Sequence, residues 1–80
     1  MNHFKISLPA SMANEVSLKL KAKPVVKSIT ILSTSKGVAT LQVEAETNIE
    51  SLKFWVEFAV SNLSIYEVKT NVTQSQAIKS

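Results

Sequence analysis

Val25–Ser33, VVKSITILS, and Val38–Ala45, VATLQVEA, are two runs of β-branched and apolar residues separated by the four residues TSKG. Such runs, bounded by turn residues, are typical of a β-hairpin. Gly37 is the only glycine of the chain, and we expect it to supply the positive φ that a tight hairpin turn requires. The middle of the chain is therefore predicted to be an antiparallel hairpin.

Towards the N-terminus, Phe4, Ile6 and Leu8 alternate with polar residues, which predicts a half-buried strand. The segment between Pro9 and the hairpin, residues 11–23, fits two structures. Its alternating apolar residues would suit a strand, whereas Met12, Val16 and Leu20 recur at helical spacing. We favour a helix, because the segment is rich in helix-forming residues, begins with a serine that can act as an N-cap and ends before Pro24.

Towards the C-terminus, Thr47-Asn48-Ile49-Glu50 has the pattern of a capping box at the start of a second helix. We expect a final strand over residues 65–72 and a flexible polar tail over residues 73–80. One domain, residues 1–72, thus has the order β-α-β-β-α-β. Connection rules fold that order into an α+β, ferredoxin-like βαββαβ sandwich, a four-stranded antiparallel sheet with two helices on one face. If residues 11–23 are a strand, the order becomes β-β-β-β-α-β.

The second helix, IESLKFWVEFAVSNL, has two apolar faces when successive residues are placed about 100° apart. Phe54 and Phe58 lie one turn apart on the side opposite the core face, and Trp55 flanks that core face. Exposed aromatic residues supply the anchors that protein association uses. We therefore predict a protein interface at Phe54, Trp55 and Phe58. The core face is formed by Ile49, Leu52, Val56, Ala59, Val60 and Leu63.

The alternation of the strands assigns apolar side chains to the helix-covered side of the sheet and polar ones to the other. The polar side carries no aromatic residue, which argues against an RNA-recognition module that stacks bases on its sheet. We expect the inward positions to be Phe4, Ile6, Leu8, Ile29, Ile31, Ala39, Leu41, Val43, Ala45, Tyr66 and Val68.

The residue types needed for catalysis and metal binding are scarce. The chain has no cysteine, no aspartate and a single histidine, His3, so that neither a Ser-His-Asp nor a Cys-His arrangement can form. Glu44 and Glu46 are the nearest approach to a carboxylate pair, and solvated glutamates are the simpler interpretation. We predict no enzymatic activity, no catalytic residues, no metal site and no cofactor.

The charge of +3 comes from nine lysines and six glutamates, without arginine. A cluster of Lys19, Lys21, Lys23 and Lys27 is a possible basic docking patch, and weak nucleic-acid binding is one use for it. The missing arginine counts against specific base recognition. No apolar run is long enough to span a membrane, and the N-terminal residues lack the pattern of a signal peptide. We expect no membrane partner and a cytoplasmic location.

The spacing of several residues resembles the heavy-metal-associated (HMA) domains of copper chaperones and metal-pumping ATPases. Met12, Val16, Leu20 and the Pro24-Val25-Val26 segment fall at matching steps of that family's first helix, and Tyr66 and Val68 match its Gly-Tyr-x-Val strand. The resemblance implies a βαββαβ fold and docking through helix faces and lysines. Pro9 and Met12 stand where the family has its metal-binding cysteines, and Ile65 replaces the glycine. Soft-metal transfer through thiolates is thereby excluded at those positions.

Three functions are consistent with these features. The first is a small non-enzymatic protein-interaction or adaptor module that self-associates through the outer face of the second helix. The second is a weak, salt-sensitive nucleic-acid-binding module that uses the lysines. The third is a regulatory domain of the ACT-like kind, in which small molecules bind between paired ferredoxin-like units, and only the fold argues for it.

Overall fold

A computed structural model describes residues 1–64 and 68–75 of the chain. Six elements follow one another in an α+β order, which confirms the helical interpretation of residues 11–23. They are strand β1 (Asn2–Pro9), helix α1 (Ala10–Lys21), strand β2 (Val26–Ser35), strand β3 (Val38–Ala45), helix α2 (Ile49–Leu63) and strand β4 (Asn71–Ser75).

The four strands form one antiparallel sheet in the order β2-β3-β1-β4. In the centre, β1 pairs with β3 from Asn2 opposite Ala45 to Pro9 opposite Val38. β4 pairs with the other side of β1, so that β2 and β4 are the two edges. Both helices pack on the same face of the sheet and contact each other. The predicted four-stranded antiparallel sheet with two helices is confirmed.

A two-residue turn, Lys36-Gly37, joins β2 to β3, with Ser35 opposite Val38. Both turn residues have positive φ, 53° for Lys36 and 77° for Gly37, which matches the twist of a hairpin. The predicted role of Gly37 is confirmed, and the same conformation at Lys36 was not foreseen. β2 also contains two irregularities of register, between Val26 and Ser28 and between Ile31 and Ser33, which are typical of β-bulges.

The core is a single cluster of apolar side chains between the sheet and the helices. The strand residues predicted to point inward on β1 and β3 are all buried. The largest fully buried side chains come from β1, β3 and both helices. Their mutual packing holds both helices against the same face of the sheet. The cluster consists of Phe4, Ile6, Leu8, Ala13, Val16, Leu20, Val26, Ala39, Leu41, Val43, Ala45, Leu52, Val56, Ala59, Val60 and Val72.

Five predictions of core position were wrong or only partly correct, and two of them, Ile49 and Val68, are half-buried against the core. Ile29 is half-buried and Ile31 is exposed, because β2 is an edge strand that α1 covers only in part. Leu63, assigned to the core face of the second helix, is also exposed at the end of α2. Edge position and helix ends depend on the tertiary arrangement, which residue spacing alone does not give.

The helix starts differ from the predicted caps. α1 begins after Pro9, whose fixed φ suits that position, and no side chain caps it, so that Ser11 is not the N-cap. In α2 the cap is Asn48, whose Oδ1 accepts a hydrogen bond from the Ser51 N–H at 2.8 Å. Asn48 therefore takes the place that the capping-box pattern gave to Thr47.

The final strand lies later in the chain than predicted. β4 spans Asn71–Ser75, so that three residues assigned to the polar tail belong to the sheet, and Val72 is buried. The strand predicted over residues 65–72 was wrong in its bounds. Tyr66 and residues 76–80 lie outside the described residues. Within residues 1–64 and 68–75, no helix is sufficiently long and apolar to cross a membrane.

Candidate protein-interaction surface

Helix α2 packs against the core with one side of its surface. Leu52, Val56, Ala59 and Val60 are buried, and they recur three or four residues apart as a single helical face requires. Ile49 and Trp55 are half-buried and pack against the same cluster. The helix is thus anchored without any contribution from its opposite side.

That opposite side carries Phe54 and Phe58, which are 64% and 59% exposed. Their rings stack on each other, with centroids 6.2 Å apart and an angle of 17° between the ring planes. The neighbouring residues on this side are small and polar, and we call the set of Ser51, Phe54, Phe58, Ser61 and Asn62 the phenylalanine face. The two rings form one continuous apolar patch on a polar background. None of the described residues covers it.

Trp55 differs from the two phenylalanines in its surroundings. It is half-buried against the core, and the Nζ of Lys23 lies 4.6 Å from its ring centroid. A cation at this distance is held by the negative face of the aromatic ring. Of the three predicted anchors, Trp55 is therefore engaged within the chain.

Three charged side chains lie on one flank of the phenylalanine face, Glu50 and Glu57 next to Phe54 and Lys53 further around the helix. Lys53 and Glu57 are exposed, lie one turn apart and line a small cleft beside Asn71 of β4. Among the described residues, neither has an ion-pair partner. The flank therefore carries two anions, Glu50 and Glu57, beside the aromatic rings, and the cation of Lys53 next to Glu57.

The four lysines of the predicted docking patch do not form one cluster. Lys19 and Lys21 are two residues apart on α1, which places their side chains about 160° apart around the helix axis. Lys23 lies over Trp55, and the Nζ of Lys27 donates to the Pro24 carbonyl oxygen at 3.5 Å. Two of the four are thus occupied within the chain. The other two point in different directions.

The face of the sheet away from the helices is polar, as the strand alternation predicted. Near one end of β3, Glu44 accepts a hydrogen bond from Ser28 Oγ at 2.9 Å, and its other oxygen lies 3.6 Å from His3 Nδ1. The carboxylate separates the hydroxyl from the imidazole, so the histidine does not act as a base for the serine in this arrangement. No group of three potential metal ligands occurs in the described part of the chain.

The polar cluster was not found from the sequence, although strand alternation assigns His3, Ser28 and Glu44 to the same polar face of the sheet. The cluster forms because the register of the strands brings His3 and Ser28 opposite Glu44. The bulge after Val26 contributes to that register, and bulges have no reliable sequence signal.

No protein-family model matches this chain, and no curated protein sequence matches it either. The resemblance to the HMA domains therefore stays a prediction.

Proposed function

We propose that this protein is a small, non-enzymatic interaction module with a ferredoxin-like fold, which self-associates by packing its phenylalanine face against the same face of a second copy. The stacked, exposed pair of Phe54 and Phe58 on a helix that already fills the core with its other side carries this proposal. A small domain rarely leaves a continuous aromatic patch in water without a partner.

The ferredoxin-like assignment rests on the connections between strands. β1 and β2 both run antiparallel to β3, so they are parallel to each other with β3 between them, and α1 connects them. β3 and β4 are likewise parallel, with β1 between them, and α2 connects them. Two such interleaved units are the split βαβ arrangement of the ferredoxin-like class.

The aromatic area sets the expected strength of association. Burying a phenylalanine side chain gains about 1.5–3 kcal/mol, and a symmetric dimer would bury parts of four rings. The entropic cost of association is of similar size, about 4–15 kcal/mol. We therefore expect a weak dimer that dissociates on dilution.

Charge complementarity favours a second copy over an unrelated partner. Consider two α2 helices that pack antiparallel around a two-fold axis between Phe54 and Phe58. Each flank then faces the same flank of the second copy in the reverse direction, and Lys53 meets Glu57 of the second copy twice. In a parallel arrangement the same flank of the two copies lies on opposite sides of the interface, so Lys53 and Glu57 of the two copies would not meet. The face is thus complementary to itself in one orientation, as a symmetric interface must be.

Sedimentation velocity over a range of concentrations tests this proposal. We expect the wild-type protein to show a reversible dimer and the variant Phe54→Ser/Phe58→Ser to be a folded monomer. The matched control is Leu18→Ser/Leu32→Ser, which removes two exposed apolar side chains elsewhere and should leave the dimer unchanged. Circular dichroism establishes that each variant is folded.

Two results would contradict the proposal. A wild-type protein that stays monomeric at about 1 mM, the weak limit of specific association, would rule out a second copy as the partner. If the Phe54→Ser/Phe58→Ser variant unfolds while Phe54→Leu/Phe58→Leu folds, the two rings support the fold rather than an interface.

A further inference from the structure

A second surface lies on the opposite side of the molecule, along the edge strand β2. The outer side of β2 pairs with no other strand in the part of the chain that the structure describes. Between its two irregularities of register, Ser28–Ile31 is a regular stretch of strand whose outward backbone groups are free. An unpaired edge of this kind is a template for an added strand.

A groove runs between this edge and helix α1. Its volume is about 290 Å³, and its apolar lining includes Leu18, which is 66% exposed, and Ile31, which is 46% exposed. The remaining lining residues are Asn14, Ser17, Lys21 and Ile29. An extended segment paired with β2 would place every second side chain in this groove, since side chains alternate along a strand. The strand edge thus offers backbone groups for pairing, and the groove offers apolar contacts for the side chains of the added segment.

The charge of the groove indicates what kind of segment fits. Of the described residues that line the groove, Lys21 is the only charged one, and no carboxylate accompanies it. A second copy of the chain would bring no acidic group from its own groove to pair with Lys21. A segment that carries an acidic residue would.

The two bulges further limit the occupant. A long edge-to-edge association requires regular pairing over the whole of β2, but the register is interrupted on both sides of Ser28–Ile31. Bulges twist an edge away from extended pairing. The edge therefore suits a short added strand.

We propose that the β2 edge and the α1–β2 groove bind a short, extended segment of another protein, which adds to the sheet as a fifth strand and places an acidic residue beside Lys21. This surface is separate from the phenylalanine face, and the inference does not depend on self-association. The segment is recognised by its extended backbone, its alternating apolar side chains and its negative charge.

The probe is the synthetic peptide acetyl-Glu-Thr-Val-Thr-Val-Thr-Glu-amide, whose glutamates and valines share one face of the strand, titrated into the isotope-labelled full chain and followed by amide NMR shifts. We expect saturable shifts at Ser28–Ile31, Leu18 and Lys21, and none at Phe54 or Phe58. The matched peptide with lysine at both ends should bind about ten-fold more weakly. Lys21→Glu should reverse that preference.

Backbone pairing is tested separately by methylating alternate amide nitrogens of the acidic peptide. Only one side of an added strand pairs with β2, so one of the two methylated isomers should lose at least about ten-fold in affinity while the other retains it. The variant Phe54→Ser/Phe58→Ser should bind the unmodified peptide as the wild-type protein does.

Several outcomes would overturn this inference. They are an absence of shifts at about 1 mM peptide, shifts confined to α2, or equal binding of the two methylated isomers. The inference would also be overturned if the Phe54→Ser/Phe58→Ser variant still formed an oligomer and the triple variant Phe54→Ser/Phe58→Ser/Leu18→Ser did not. A second copy of the chain would then be the occupant of the groove.

Discussion

The Nζ of Lys23 lies 4.6 Å from the centroid of the Trp55 ring, and so joins the residues that follow α1 to the middle of α2. Two residues that were predicted to contact partners thus contact each other within the domain. Lys23 was expected to belong to a basic patch and Trp55 to an interface. Each instead covers part of the other, which leaves Phe54 and Phe58 as the exposed aromatic pair of α2.

The first prediction concerns this contact. Lys23→Ala should lower the free energy of unfolding by about 0.5–1 kcal/mol, the usual size of a partly exposed cation–π interaction. It should also shift the emission of Trp55, the only tryptophan. Lys19→Ala is the control, since Lys19 lies over no aromatic ring in residues 1–64 and 68–75, and its change should stay within about 0.5 kcal/mol. Urea denaturation followed by fluorescence measures both. Equal effects of the two substitutions would contradict the contact.

The second prediction separates the two apolar faces of α2 by stability. Leu52 is fully buried, so Leu52→Ala should cost about 2–5 kcal/mol of unfolding free energy through lost burial and a cavity. Phe54→Ala should change the free energy of unfolding by less than about 0.5 kcal/mol, because the ring is exposed. Denaturation is measured at a protein concentration too low for the dimer to form, so that only the stability of the monomer is compared. A cost for Phe54→Ala similar to that for Leu52→Ala would show that the phenylalanine supports the fold.

The third prediction concerns the hairpin turn. Lys36 has a φ of 53°, which asparagine tolerates better than lysine, so Lys36→Asn should raise the melting temperature. Lys36→Gln, which has no such preference, should leave it unchanged. Gly37→Ala should lower stability by about 1 kcal/mol, because a side chain is strained at a φ of 77° even though nothing stands near it. A neutral Gly37→Ala would mean that the turn is not of this type.

The parts of the fold that residue periodicity governs were predicted correctly. The inward residues of β1 and β3 follow strict alternation, and the hairpin turn has the glycine that its backbone requires. The predicted limits of β4 were wrong because Tyr66, Val68 and Val72 continue one alternating phase, so that the pattern does not fix where the strand lies, and pairing with β1 selects Asn71–Ser75. Local sequence does not contain that information.

The candidate site was predicted in part for the same reason. The positions of Phe54 and Phe58 on the outer side of α2 follow from helical spacing, and the structure places them there. The groove beside Leu18 and Ile31 could not be found, because it depends on how far α1 covers the edge strand β2. Helix spacing also predicts that Lys19 and Lys21 diverge, but the lysines were grouped by proximity in the sequence instead.

The fourth prediction tests the antiparallel orientation by cross-linking, which the absence of cysteine in the chain makes possible. Ser51 and Asn62 are eleven residues apart, about three helical turns, and therefore lie on the same flank of α2. In an antiparallel dimer, residue 51 of one copy approaches residue 62 of the other. A mixture of Ser51→Cys and Asn62→Cys should form the mixed disulfide, as detected by mass spectrometry. Preferential cross-linking of Ser51→Cys to itself would indicate a parallel dimer.

The fifth prediction tests whether Lys53 and Glu57 select the second copy. Lys53→Glu leaves four carboxylates at the antiparallel interface and Glu57→Lys leaves four cations, so each should weaken the dimer by about ten-fold, as expected for two exposed ion pairs replaced by like charges. The double exchange Lys53→Glu/Glu57→Lys restores opposite charges and should recover the wild-type affinity. Sedimentation equilibrium at low and high salt measures all four proteins, and the differences should shrink at high salt.

The double exchange also reverses the charges one turn apart within each helix, which can change helix stability by about 0.2–0.5 kcal/mol. Unfolding of the monomers is therefore measured in parallel, and a change in dimer affinity counts only if it exceeds the change in monomer stability. If the double exchange associates as weakly as the single substitutions, the two charges do not meet across the dimer. The antiparallel packing of α2 would then be wrong, even with Phe54 and Phe58 at the interface.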